Sequence, residues 1–222
     1  LLAECPLDGM VAWRDRQATN MPIDARISAY LVVNVDGPVV ATACMFRYFS
    51  GGFMSASAVD ELWSFSLEFY ARPGVSECLI DLQDRFGADA NLLLFCCWCG
   101  VSGRPPVDEP QLREAMAQTG VWQSEIVQRL RSLRRDMKAG VDGVPLSDSN
   151  SVREEIKRLE FKCERIEQVR LAGLAHAVSE VRDIASIRIA LEAYLRLLGV
   201  ENKTITCVSM EQLITVCGQW DD

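Results

Sequence analysis

The run Leu92-Leu93-Leu94-Phe95-Cys96-Cys97-Trp98-Cys99 constrains this chain more than any other segment. With Asn91 ahead of it, the stretch is nearly apolar on every side of a helix. It has no face to offer water, so it predicts a helix buried all round. The run falls far short of the roughly 20 apolar residues that cross a bilayer. The remaining chain must therefore supply amphipathic elements that wrap it. Asp89 is placed to cap its start, and Gly100-Val101-Ser102-Gly103-Arg104-Pro105-Pro106 breaks the chain after it.

Those wrapping elements are visible as helical periods. Ser57-Ala58-Val59-Asp60 resembles a capping box, and Val59, Leu62, Trp63, Phe69 and Tyr70 follow at helical spacing. After Pro73-Gly74, a second helix carries Val75, Cys78, Leu79, Leu82 and Phe86 on one stripe and closes at Gly87. Asp108-Glu109-Pro110 opens a short helix. Trp122, Ile126, Leu130, Leu133 and Met137 trace the apolar face of a fifth. Ala139–Asn150 reads as a loop. Ser151-Val152-Arg153-Glu154 then starts a long helix whose Val152, Ile156, Leu159, Cys163 and Ile166 alternate like a coiled-coil seam. That helix is expected to reach about Glu180 and to break before Asp183. Ile187, Leu191, Tyr194, Leu195 and Leu198 mark a last strong helix, closed by Gly199. The expected architecture is all-α: an irregular bundle with a long C-terminal helical hairpin. Residues 54–199 form the helical domain. Residues 200–222 make a weakly structured tail with one short helix near Met210–Val216.

Residues 1–53 read differently. They hold no sustained helical period and are irregular or a weak hairpin. Tyr30–Val35, Asp36-Gly37 and Val39–Phe46 suit a β-hairpin, which Pro38 weakens. The abrupt onset of periodicity predicts that Met54 is the initiator and that the preceding segment is upstream sequence translated in frame. Gly51-Gly52, encoded by GGN-GGN, fits a ribosome-binding sequence there. The competing expectation is a loosely packed extension.

The net charge of −8 and pI near 4.8 argue against broad nucleic-acid binding, which depends on neutralising phosphates. The nine cysteines are odd in number and scattered, and Leu1–Ala12 carries Glu4 and Asp8 with no basic n-region. Free thiols in a reducing cytoplasm are expected.

One segment is recognisable. Trp63-x-Phe65-x-Leu67-x-x-Tyr70-x-x-Pro73-Gly74-Val75, followed by Leu82-Gln83-Asp84-x-x-Gly87-x-Asp89-x-Asn91-x-Leu93-Leu94-Phe95-x-x-Trp98, resembles the proteobacterial domain-of-unknown-function family 2390. The resemblance is specific over Leu62–Gly100 and extends to about Gly199. It implies a bacterial, helical, cytoplasmic protein starting near Met54, and it lends no catalytic residue.

Two constellations are candidate sites. Gln83, Asp84, Asp89 and Asn91 flank the junction of the second and third helices. Carboxylates beside amides suit a cation or a small polar ligand. The competing role is capping and tying the buried helix. Arg129, Arg131, Arg134, Arg135 and Lys138 form a basic surface on the fifth helix, either a docking surface for an acidic partner or a solvated face. Cys96-Cys97-Trp98-Cys99 has C-x-x-C spacing but lies late in an apolar helix, where thiols act as small hydrophobes. His176, the sole histidine, has no nucleophile-elbow sequence near it. Gly100-x-x-Gly103 lacks the Lys-Ser/Thr of a phosphate loop. No cofactor or metal is therefore expected. The leading functional expectation is a non-enzymatic helical interaction or adaptor protein with a protein partner. The alternative is a small-molecule-binding protein or enzyme that uses the polar cluster.

Overall fold

The computed structural model describes residues 57–178 and 183–220. The hairpin expected within the first 53 residues and the proposed start at Met54 lie outside the described residues. Helix α1 spans Ala58–Tyr70. Ser57 accepts from the Asp60 N–H, the first half of a capping box, and its hydroxyl donates to the Asp60 carboxylate. Helix α2, Val75–Phe86, ends at Gly87, whose φ of 66° only glycine adopts without strain. Asp89 then caps α3, Ala90–Val101, by accepting from the Asn91 N–H at 2.9 Å.

Every residue of α3 is buried. Helices α1, α2, α6, α7 and α9 all pack on it. Each fully buried leucine or phenylalanine here contributes about 1.5–3 kcal/mol relative to exposure. The closest approach is at Gly100, where a Cβ would overlap the Ile187 side chain of α7, Ile184–Leu197.

Beyond Asp108 the chain runs through α4, Glu109–Trp122, a π-helical turn, Gln123–Val127, and α5, Gln128–Asp136. A short 3-10 turn and a loop lead into α6, Leu146–Gly173. The α4–α5 arm and α6 form the long helical hairpin. The hairpin lies on α1 and α3, while α7 packs on α3, α4 and α9.

Three details differ from the sequence reading. Helix α6 starts behind Pro145 rather than at Ser151, because Pro145 supplies a pre-set φ of −54° and ends the loop earlier. It stops at Gly173, a poor helix residue, and the Gln111 amide satisfies the freed Leu174 carbonyl at 2.6 Å. The tail is firmer than expected. Helices α8, Asn202–Ile205, and α9, Val208–Gly218, follow Glu201. Met210, Leu213, Ile214, Val216 and Cys217 of α9 enter the core.

Gly100→Ala tests the α3–α7 contact. A loss of about 1–3 kcal/mol is expected in urea denaturation, whereas Gly120→Ala in α4, where a Cβ meets nothing, should gain about 0.5–1 kcal/mol from helix propensity.

Candidate functional site

The hairpin's inner face is polar where an apolar seam was expected. The apolar series on α5 assumes an unbroken α-helix, and the π turn adds a residue that rotates the series away. Gln123, Val127 and Arg134 are buried, while Ile126 and Leu133 face solvent. On α6 the expected seam divides. Cys163 is buried and Ile156 half-buried, but Val152, Leu159 and Ile166 are exposed. The inward residues are instead Glu160, Cys163, Glu167, Gln168, Leu171 and Ala172.

Two polar groups occupy this inner face. The first clasps the arms together. Arg134 Nε reaches Glu160 at 2.7 Å, and both side chains are buried. Arg131 bridges Glu160 at 3.0 Å and Glu164 at 2.7 Å. Burial pushes Glu164 up to about 7, against the pull of Arg131. The basic surface read from the sequence is therefore split. Arg131 and Arg134 are internal, because α6 presents acids to them. Arg129 pairs with Glu125, and Arg135 lies 3.6 Å from Asp84 on the exposed side. Lys138 is exposed and also takes part in an interaction.

The second group sits where α6 crosses the start of α3. Asn91 donates to Glu167 at 2.9 Å and accepts from the Gln168 amide at 3.0 Å. That amide also donates to Ser66 of α1, which in turn donates to the Leu62 carbonyl. The Asp89 N–H donates to the Tyr194 hydroxyl of α7 at 2.8 Å. Glu167 is fully buried and accepts from the Asn91 amide, with the Asp89 carboxyl at the same helix junction. Burial first, then the Asp89 charge, push Glu167 far above the ordinary carboxyl range, to about 10. Its Oε1 is buried without a hydrogen-bond partner, a position that costs a neutral carboxyl far less than a carboxylate. The folded chain thus holds a proton that the unfolded chain releases above the ordinary Glu pKa. This contribution to stability is complete in acid and is lost as pH rises toward about 10.

The four sequence candidates are not brought together. Asp89 and Asn91 belong to this buried network. Gln83 is half-buried on α2, and Asp84 is exposed. Glu160, Glu164, Glu167, Gln168 and Tyr194 were missed. The available signal was Asn91, a polar side chain on an otherwise apolar buried helix, which demands a buried partner.

Two surface grooves lie elsewhere. One of about 730 Å³ is lined by Arg72, Thr206, Val208, Glu211, Gln212 and neighbouring residues. Another of about 330 Å³ runs along Phe86 and Leu198–Glu201. Neither includes Asp89, Asn91 or Glu167. Among the described residues, no group of three or more His, Cys, Asp or Glu side chains is arranged to hold a metal ion. No helix among them is long and apolar enough to cross a membrane. Burial raises the Cys96 thiol, and raises Cys99 to about 12, as expected for packed hydrophobes rather than redox thiols. His176 is exposed, beyond the end of α6.

Fold and site together define an all-helical bundle whose polar network ties a buried central helix to a long hairpin. The model of the family described as "Protein of unknown function (DUF2390)" matches residues 61–171, half of the chain, and the chain belongs to that family. A 43-residue stretch is 49% identical to ATP-dependent 6-phosphofructokinase 1 of Synechocystis sp.. It covers 19% of this chain and 12% of that enzyme. No solved structure matches the chain.

Arg134 and Arg135 are neighbours with opposite roles. Arg134→Ala leaves the buried Glu160 with Arg131 as its remaining arginine partner and is expected to cost about 1.5–3 kcal/mol, the worth of a hydrogen bond to a charged group. Arg135→Ala breaks only an exposed pair and should change stability by less than about 1 kcal/mol. Chemical denaturation of both variants checks the contrast.

Proposed function

We propose that this protein is a non-enzymatic interaction or adaptor protein that docks a protein partner on the outer face of its hairpin. One observation carries the reading. Val152, Leu159 and Ile166 recur every seven residues along α6 and remain 52%, 49% and 45% exposed. Seven residues are close to two helical turns, so the three share one stripe. Val169, on the next turn, is 46% exposed. Aligned apolar exposure of this kind marks a surface that another molecule covers.

The buried acids support the same reading from the other side. Asp89, Asn91 and Glu167 are engaged with one another and with Gln168 and Tyr194, so their polarity is used inside the bundle. The proposal places the protein in a bacterial cytoplasm. The buried, unpaired cysteines of α3 and α9 suit that reducing setting.

Affinity purification of wild type and of Leu159→Glu/Ile166→Glu from the native host tests the proposal. The double variant should keep its thermal midpoint, since both sites are half-exposed, and should lose its partner by roughly tenfold or more. Because the contact is apolar, the wild-type interaction should survive high salt. An identical set of retained proteins for the two forms would contradict it.

A further inference from the structure

We propose that the partner of this face is a second copy of the same chain, with the two α6 helices antiparallel about a two-fold axis at Leu159. This rests on the reading that the outer face of α6 docks a protein, and it names the occupant.

Three residues of the apolar stripe are symmetric about Leu159, and Val169 lies outside that set. Val152 lies seven residues before it and Ile166 seven residues after it. An antiparallel pair with its axis at Leu159 sets Leu159 against its own mate and Val152 level with Ile166 of the second copy. A two-fold interface needs this self-complementarity, in which each contact occurs twice.

The exposed charges follow the same axis. Asp148, Glu154 and Glu155 are the exposed acids in the first half of α6. Arg158, one residue before the axis, is also exposed there, and Lys162 and Arg170 are the exposed charged residues in the second half. Every exposed acid of α6 lies before Leu159, and Arg158 is the exposed base on that side. Antiparallel pairing puts Asp148 level with Arg170 of the second copy, and Glu155 within one residue, about 1.5 Å, of the level of Lys162. Each such pairing occurs twice. Parallel pairing would set acid beside acid and base beside base, which repel. The intrachain contact of Glu155 with Arg158 is an exposed pair and costs little to rearrange. Arg170 engages the Gln118 carbonyl through Nη1 at the surface.

The half-buried charges leave the pattern intact: Lys157, two residues before Leu159, lies on the opposite side of the helix, and the bundle already uses the others. Glu164 faces Arg131, and Arg165 faces Asp60. Arg153 Nε donates to the Arg134 carbonyl. The outward register is therefore carried by Asp148, Glu155, Lys162 and Arg170 together with the apolar stripe. The α6 helix is about 42 Å long at 1.5 Å per residue, so all these levels fit within it.

Sedimentation velocity of the full chain, with its 24.8 kDa monomer mass, tests the inference. A reversible dimer is expected for wild type. Leu159→Glu should weaken it by roughly tenfold or more. Glu155→Lys alone should weaken it similarly at low salt, by facing Lys162 of the second copy. The reversal Glu155→Lys/Lys162→Glu should restore the dimer. A wild-type monomer throughout would overturn the inference, as would a dimer indifferent to Leu159→Glu. So would a double reversal no better than the single change. A photo-crosslinking residue at position 159, used in the native host, separates the two levels of the argument. An adduct of twice the chain mass supports the pairing. An adduct with a different protein overturns the pairing and leaves the docking face standing. No adduct overturns both.

Discussion

The interaction on which the structure depends is the hydrogen-bonded junction of Asn91, Glu167, Gln168 and Asp89. Helix α3 is buried on all sides, so the one polar side chain in its first turn has no water to meet. Asn91 finds its partners on α6, across 76 and 77 residues of chain. In meeting that need, α6 must bring a carboxyl into the interior. The cost of burying it is met by keeping it protonated against Asp89, since an isolated buried carboxylate is far more expensive than a neutral acid. Ser66 and Tyr194 attach α1 and α7 to the same knot. Four helices are thus registered on one small polar centre, while the surrounding leucines and phenylalanines supply most of the burial energy.

The orientation of α6 follows from this centre. Turning Glu160, Glu167 and Gln168 inward turns Val152, Leu159 and Ile166 outward, because both sets sit at helical spacing on one cylinder. The clasp of Arg131 and Arg134 with Glu160 and Glu164 repeats the arrangement along the hairpin. Such buried pairs are weak sources of net stability, but they fix how two arms align. The apolar stripe that we propose as the docking face is therefore the outward consequence of an interior held by polar contacts.

Much of the fold was legible where single residues punctuate the chain. Ser57, Gly87, Asp89 and Asp108 mark helix ends through their own chemistry, and the structure uses each as a cap or stop. The burial of α3 follows from its composition alone. The hairpin was less legible. Nothing in Gln123-Ser124-Glu125-Ile126-Val127 dictates a π turn, and that turn rotates every later side chain of the arm. Glu160, Glu164 and Glu167 read as a solvated face because acids at helical spacing usually are one. Only the need of Asn91 for a partner pointed inward. Arg134 and Arg135 are indistinguishable in sequence, and the tertiary register alone assigns one to the core and the other to the surface.

The account rests on a neutral acid at position 167. A carbon-13 NMR titration of the glutamate carboxyls, with Glu167 assigned through Glu167→Gln, measures that state directly. The account predicts a Glu167 carboxyl that stays protonated through neutral pH and ionises only in the alkaline range. Ionisation in the ordinary glutamate range, near pH 4–5, would contradict it.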